Sequence, residues 1–333
     1  MKGRQIKLGI IGAGAWGTAL AVIANRAGTK VHVWSRNENV LNSIEQRRVN
    51  DIYLPDVFLD TDIGVSNNLA DVCACDYVLL SVPAQYMRPL CISISDLVDS
   101  SVPLIIASKG IERGSLSLMS EVVESILPNN PVAVLSGPNF ALEAASGLPT
   151  ATTVACESHM LADKLLYLLG GKYFRPYHSE DIIGTQIGGA VKNVIAIASG
   201  ICMGRNLGEN ARTALITRGL REMMRLSEVK GGTAKSLMGL AGMGDLMLTC
   251  NSLQSRNTAL GASLGEGKSL KAILPNKSHG LTEGVHTAES VHHIAQKLGV
   301  HMPICETVYE MLYDDLDTET AIERLLGRPF SVE

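Results

Sequence analysis

Aromatic residues are scarce: Phe, Trp and Tyr together make up 4% of the 333 residues. So sparse a set offers no platform on which bases or sugars could stack in succession. Positive charge is lacking too, because 29 Lys and Arg against 33 Asp and Glu leave a formal net charge of -4. That is too little basicity to neutralise a run of phosphates, so nucleic acid is excluded as a partner. The cysteines, Cys73, Cys75, Cys91, Cys156, Cys202, Cys250 and Cys305, are odd in number and never spaced as CxxC. This speaks against a zinc ligand pair and against a disulfide framework, so the expectation is reduced core thiols and no metal. No low-complexity tract or repeat of solenoid period breaks the chain. What is plentiful is apolar material, 46% of the residues, and glycine, 32 of them. At about 150 residues per domain the length points to about two domains, each with enough apolar residues for a core. The glycines suit tight turns and close approach of backbone to a ligand.

The N-terminus has the outline of a secretory signal: Lys2, Arg4 and Lys7, an apolar run from Leu8 to Ala24, and Ala19 and Ala21 spaced as AxA. Gly12, Gly14 and Gly17 would weaken a signal helix, and unpaired cysteines argue against export, so the expectation is a cytoplasmic chain. A second apolar stretch, Ile182 to Gly204, is long enough to span a bilayer. Thr185, Gln186, Lys192, Asn193 and several glycines within it point instead to a buried helix, without membrane insertion.

Short β-branched runs alternate with helical stretches in the first half, the pattern of a parallel sheet covered by helices. Strands are predicted at Lys7 to Ile11, Val31 to Trp34, Tyr77 to Ser81, Leu104 to Ala107, Val132 to Leu135 and Thr152 to Ala155. After about Ile183 helical periodicity takes over, at Gly188 to Met203, Ala211 to Lys230, Thr233 to Leu240, Ser255 to Leu264, Thr287 to Leu298 and Pro303 to Tyr313. The expected architecture is α/β, a Rossmann-type doubly wound sheet over residues 1–188 followed by an all-helical substrate-binding domain over 189–333.

Leu8 to Ile11 runs into Gly12-Ala13-Gly14-Ala15-Trp16-Gly17 and then a helical stretch, which sets GxGxxG between a strand and a helix. Gly12 permits the tight turn, Gly14 lets the backbone approach a pyrophosphate, and Gly17 lets the helix pack on the sheet with its N-terminal amides facing the anion. A dinucleotide is the expected cofactor. At the tip of the second strand, where an acid would hold a ribose 2′-hydroxyl, stands Ser35-Arg36-Asn37. Arg36 can pair with a 2′-phosphate instead, which predicts preference for NADP(H) over NAD(H); otherwise it is a solvated surface arginine.

Lys192 is the only charged residue between Ile182 and Gly204. Apolar surroundings disfavour an ammonium and lower a lysine's pKa toward the range useful for proton transfer, although a lysine can also snorkel from a core helix to water. Lys109, just after a strand in Ala107-Ser108-Lys109-Gly110, stands at the ligand-facing edge of the sheet and suits an anion. Downstream, Ser255 can cap a helix and leave Arg256, Asn257 and free amides for a phosphate, or it can simply cap. Asp245, in Gly244-Asp245, is either a turn acid or a group that orients a lysine; spacing leaves both open.

These motifs occur in one order with Leu54-Pro55, Ser136-Gly137-Pro138, Gly188-Gly189-Ala190-Val191-Lys192-Asn193, Asn210-Ala211-Arg212-Thr213-Ala214 and Glu283-Gly284. Taken together the series resembles bacterial NAD(P)-dependent glycerol-3-phosphate dehydrogenase over essentially the whole chain. The resemblance implies reversible reduction of dihydroxyacetone phosphate to sn-glycerol 3-phosphate, the backbone precursor of glycerophospholipids, by a cytoplasmic homodimer. It implies Lys192 as proton donor and acceptor, and substrate contacts from Lys109, Gly137, Asn139, Lys192, Asp245, Ser255, Arg256 and Asn257. It further implies cofactor contacts from Ala15, Trp16, Arg36, Lys109, Ala141, Arg256, Leu281 and Glu283, beside the turn glycines. Asn139 stands where the family usually has Ser or Thr, Ala15 where Ser is frequent, and Thr282 where Val is often found. The competing readings are another two-domain hydroxyacid or ketopantoate-type reductase, and a nucleotide sensor without catalysis.

Overall fold

A computed structural model describes residues 5–273 and 283–327. The chain divides into two compact units: Met1–Lys109 with Ser117–Gln186, and Gly110–Leu116 with Ile187–Glu333. A single cut in the sequence does not describe this division, because seven residues of the first half cluster with the second unit.

The first unit contains β1 (Lys7–Ile11), β2 (Lys30–Trp34), β3 (Val49–Asn50), β4 (Leu54–Phe58), β5 (Gly64–Ser66), β6 (Tyr77–Leu80), β7 (Leu104–Ile106), β8 (Val132–Ser136), β9 (Thr150–Ala155) and β10 (Phe174–Ser179). Its helices are α1 (Ala15–Arg26), α2 (Glu38–Arg47), α3 (Leu69–Cys73), α4 (Met87–Ile94), α5 (Met119–Ile126), α6 (Ala141–Ala145) and α7 (His159–Leu169). Eight strands form one sheet in the order β10-β9-β8-β7-β6-β1-β2-β5, while β3 and β4 pair separately. Alternating side chains explain why both faces are covered. Leu79 and Ile105 enter one apolar cluster with residues of α1 and α7, whereas Val78, Leu80, Leu104 and Ile106 enter another with residues of α4 and α5. This is the period of two expected of strands buried on both sides.

The sheet departs from the all-parallel expectation at one place: β9 runs antiparallel to β8, and β10 then runs parallel to β9. The connection from β8 to β9 carries only the five-residue α6, less than the helix that usually returns a chain for parallel pairing. Strand β10 was not predicted because Phe-Arg-Pro-Tyr-His-Ser lacks alternation, and Pro176 is tolerated there because β10 is an edge. Chain order reverses direction beside β1, which lies between β2 and β6. Ligands of open α/β sheets collect outside the strand ends at such a point.

The second unit holds most of α8 (Ile182–Gly204), then α9 (Gly208–Lys230), α10 (Ala234–Leu237), α11 (Asp245–Cys250), α12 (Arg256–Gly265), α13 (Leu270–Ile273), α14 (Glu283–Leu298), α15 (Pro303–Tyr313) and α16 (Thr318–Leu326). The predicted helix over Thr233 to Leu240 ends at Leu237, and a π-turn over Leu240–Gly244 follows. The apolar window of α8 is 89% buried inside the protein, so α8 is a core helix.

All seven cysteines are free and buried. Burial pushes the thiols of Cys73 and Cys75 up to about 11 and that of Cys250 to about 12, which keeps them protonated and poor nucleophiles.

Glu222 on α9 is a buried acid that ties two helices together. Its two carboxylate oxygens accept the backbone N–H groups of Ile304 (2.7 Å) and Cys305 (3.1 Å) at the start of α15. Burial raises its pKa from 4.5 to about 7, against the opposing pull of those two amides. Since the folded value exceeds the unfolded one, the folded state binds the extra proton. The stability contributed by Glu222 is therefore full below about pH 4.5 and is lost as pH rises through about 7. A shift of this size corresponds to a few kcal/mol. The expected result is that thermal stability of the wild type falls more between pH 5 and pH 8 than that of Glu222→Gln; parallel melting-temperature profiles would remove Glu222 as the cause.

Candidate active site

The first unit presents the glycine turn. Gly12 leaves β1 with φ +115°, a conformation L side chains rarely adopt, and a Cβ there would lie 2.3 Å from the Ser81 carbonyl oxygen at the end of β6. A Cβ at Gly17 would lie 1.9 Å from the Gly12 oxygen, so α1 starts hard against the turn. By contrast, a Cβ at Gly14 would meet no protein atom within 4 Å. No side chain caps α1, and its first turn holds no acid. The N-terminus of a helix left in that state attracts an anion through its amides and its dipole. Ala15 and Trp16 are the first two residues of α1, and the buried Trp16 indole Nε1 has no hydrogen-bond partner in the protein. The turn therefore fits a dinucleotide in both shape and polarity.

At the tip of β2, Asn37 caps α2 by accepting from the Asn39 amide (3.0 Å), and Ser35 Oγ accepts from the Asn37 amide (3.1 Å). Glu38 is thereby the first residue of α2, and Arg36 is exposed with its guanidinium 5.1 Å from the centre of the Tyr86 ring. Tyr86, in the short 3-10 turn Ala84–Tyr86 after β6, was not anticipated, because its partner is fifty positions away and nothing local marks it. A cation over an aromatic face is held in place by the ring's quadrupole.

Along the same edge, Lys109 Nζ donates to the Gly137 carbonyl (3.1 Å). A Cβ at Gly137 would lie 2.9 Å from the Thr152 Cα, so this position accepts only glycine without a shift. Asn139 Nδ2 donates to the Ala151 carbonyl (2.8 Å), which leaves its buried Oδ1 with no partner in the protein. An orphaned buried acceptor of this kind is suited to a hydroxyl or amide donor of a ligand. Ala141 opens α6, half-buried.

In the second unit Lys192 is 8% exposed on α8. Its surroundings are not purely apolar. The Nζ donates to Asp245 Oδ1 (2.5 Å) and to Thr249 Oγ1 (2.8 Å), and Asp245 is 1% exposed. Asp245 is thus the lysine's partner, on the first turn of α11. Thr249, one helical turn further, also approaches Asp245 Oδ1 at 3.3 Å. Sequence reasoning missed Thr249; its i+4 spacing from an acid was the available signal, and it was too common to single out.

The phosphate-site candidates divide by what their atoms already do. Ser255 Oγ accepts from the Thr258 amide (3.2 Å), so its hydroxyl caps α12. The Asn257 amide is committed as well: Nδ2 donates to Asn193 Oδ1 (3.0 Å) and Oδ1 accepts from the Gly284 amide (3.2 Å), tying α12 to α8 and α14. Arg256 is exposed at the head of α12, whose first turn contains no acid. Glu283 is the first residue of α14 and half-buried, and Leu281 lies outside the described residues. Among the described residues no cluster of His, Cys, Asp and Glu has the arrangement of a metal site.

Residues 7–162 match the family described as NAD-dependent glycerol-3-phosphate dehydrogenase N-terminus, and residues 181–323 match the corresponding C-terminus. A glycerol-3-phosphate dehydrogenase (NAD(P)+) of Maricaulis maris is 46% identical over 326 residues, covering 98% of each chain. One from Rhodospirillum rubrum is 46% identical over 98% of this chain and 93% of its own. The crystal structure of glycerol-3-phosphate dehydrogenase from Coxiella burnetii superposes with a TM-score of 0.92 at 39% identity, over 97% of this chain and 99% of that one.

Proposed function

The chain belongs to the NAD-dependent glycerol-3-phosphate dehydrogenase family and interconverts dihydroxyacetone phosphate and glycerol 3-phosphate with NAD(P)H, and from that premise we propose that Lys192 moves the proton. The observation that carries this reading is the buried ammonium held between Asp245 and Thr249. When bound, reduced nicotinamide would supply a hydride for the carbonyl carbon. As negative charge develops on the carbonyl oxygen, that oxygen needs a proton donor and a cation, and the Lys192 ammonium is both. In the oxidation direction its neutral amine takes the proton from the hydroxyl. Asp245 and Thr249 restrict the nitrogen's position in either state, so little reorganisation accompanies transfer.

The substrate phosphate is remote from the reacting carbon, and its binding energy serves to orient the carbonyl. We assign it to Arg256 and to the amides at the head of α12, with Asn257 acting mainly through the framework it ties together. Lys109, Gly137 and Asn139 complete the proposed substrate contacts. The cofactor is assigned to Gly12, Gly14, Ala15, Trp16, Gly17, Arg36, Lys109, Ala141, Arg256 and Glu283, with Tyr86 added as the surface that steadies Arg36. A cytoplasmic setting agrees with seven free, buried cysteines; a homodimer and a role in supplying the glycerophospholipid backbone rest on family resemblance.

Arg36 decides the cofactor in this reading. The wild type is expected to use NADPH with clearly higher kcat/KM than NADH, and Arg36→Ala to lose about tenfold with NADPH while changing little with NADH, as for one charge-assisted contact. Equal efficiencies for the two cofactors in the wild type, followed by absorbance of the reduced nicotinamide, would reverse the assignment.

A further inference from the structure

Lys192 and Asp245 are 53 positions apart, yet their charged atoms meet at 2.5 Å. Two features one turn earlier on each element set that distance. Gly188 precedes Lys192 by four residues on α8 and so shares its face. A Cβ at Gly188 would lie 2.4 Å from the Ala241 carbonyl oxygen, 3.0 Å from its carbonyl carbon and 3.1 Å from Leu237 Cδ2. Ala241 in turn precedes Asp245 by four residues, inside the π-turn over Leu240–Gly244. Backbone of α8 and backbone of the π-turn therefore touch directly behind the ion pair.

The π-turn determines which way Asp245 faces. The Gly244 amide donates to the Gly239 carbonyl (3.0 Å), a bond spanning five residues rather than four. Each residue of an α-helix advances by about 100°, so the extra residue rotates everything after it by that amount relative to an uninterrupted helix. Gly242 permits the tight wrapping, since a Cβ there would lie 2.1 Å from the Leu237 oxygen. Orientation thus comes from the π-turn, and separation comes from the missing side chain at Gly188.

We propose that Gly188 is a positioning residue for proton transfer, acting through the Ala241 carbonyl to hold Asp245 in register with Lys192. The proposal rests on the reading of Lys192 as the proton-transferring group. A methyl at 188 meets backbone atoms that cannot swing aside, so α8 and the π-turn must separate and the pair must lengthen or turn. Alanine is the better helix former, and helix propensity alone predicts no loss from the change. Gly200, further along α8, serves a different contact: a Cβ there would lie 2.1 Å from the Thr258 oxygen, in the first turn of α12, and 2.7 Å from the Ala262 amide nitrogen. Steric pressure there falls on the phosphate end instead.

The test compares Gly188→Ala with Gly200→Ala, using dihydroxyacetone phosphate and NADPH over a range of pH. Gly188→Ala is expected to lower kcat at least tenfold with KM for either substrate within about threefold, since misplacement near 1 Å can cost about 10²-fold. Its pH–kcat profile is expected to move by half a unit or more. Gly200→Ala is expected to raise KM for dihydroxyacetone phosphate and keep the wild-type profile. Asp245→Glu, whose carboxylate reaches one methylene further, is expected to cost less in the Gly188→Ala background than alone. If Gly188→Ala is insoluble, Gly188→Ala with Leu237→Val, which removes the side-chain part of the clash, is assayed for the same outcomes. Wild-type kcat and profile in the folded variant overturn the proposal. So do independent effects of the 188 and 245 changes, or an identical profile shift from Gly200→Ala. Retained turnover in Lys192→Ala would instead overturn the reading of the lysine, which separates the two failures.

Discussion

Lys192→Ala is expected to lower kcat by at least about 10²-fold while leaving NADPH affinity nearly unchanged. The asymmetry follows from where the lysine lies. Its nitrogen is engaged by Asp245 and Thr249 in the second unit, and the dinucleotide turn belongs to the first. Loss of the group removes both the proton donor and the cation next to the developing oxyanion, so reduction and oxidation should fall together, as detailed balance requires at unchanged equilibrium constant. Lys192→Arg should recover little, because a guanidinium holds its proton at any working pH and has a different shape from an ammonium. A small primary alkylamine added to Lys192→Ala should restore part of the turnover, since the missing function is a proton carrier of defined size. Fluorescence titration with NADPH, alongside steady-state rates, checks both halves. Turnover within a few-fold of wild type would exclude the lysine from the chemistry, and a parallel collapse of NADPH binding would recast it as a structural group.

The parts of this site that could be read from sequence are those written in contiguous residues. Gly12, Gly14 and Gly17 stand in one turn between one strand and one helix: Gly12 is required by its positive φ, Gly17 by its approach to the Gly12 carbonyl, and Gly14 leaves open the space a ligand would enter. Lys192 stood out because nothing else in its helix carries charge, a property of a single segment. What remained hidden depends on distant segments coming together. Asp245 could be a turn acid or a lysine's partner until α8 and α11 met, and Tyr86 gains its place beside Arg36 only because β2 and β6 flank the same central strand. Asn257 looked like a phosphate ligand, yet both ends of its side-chain amide bind protein, since a buried amide must satisfy its polar atoms wherever they point. The π-turn was invisible for another reason. Leu240 to Gly244 reads as a helix end with two glycines, and one extra residue in a turn leaves no mark on hydrophobic periodicity. The antiparallel β9 likewise depends on the brevity of α6, which the strand's own residues do not encode.

Asp245→Asn should damage stability and turnover together, and the pairing of the two losses is the informative part. The substitution is nearly isosteric and keeps an oxygen that can accept from Lys192, so cavity formation contributes little. What disappears is the counter-charge of an ammonium that is 8% exposed. Breaking a buried pair by neutralising one member costs about 3–5 kcal/mol, because the other charge is left without compensation. Thr249 Oγ1 stays as a dipolar partner, which places the expected loss toward the lower part of that range. The same reasoning predicts a strong coupling in a double-mutant cycle. In the Lys192→Met background no ammonium remains to be stranded, and Asp245→Asn should then be neutral or stabilising, since it removes a buried carboxylate that had lost its counter-charge. Chemical denaturation of the four proteins, with unchanged dependence on denaturant, measures that coupling directly. Catalysis should follow a different pattern: Lys192→Met already lacks the proton carrier through which Asp245 acts, so Asp245→Asn should lower its residual turnover little further, whereas alone it should cut kcat because the nitrogen loses its stronger anchor. Additive stabilities across the cycle would mean that the 2.5 Å contact is energetically idle, and the burial of both groups would then need another cause.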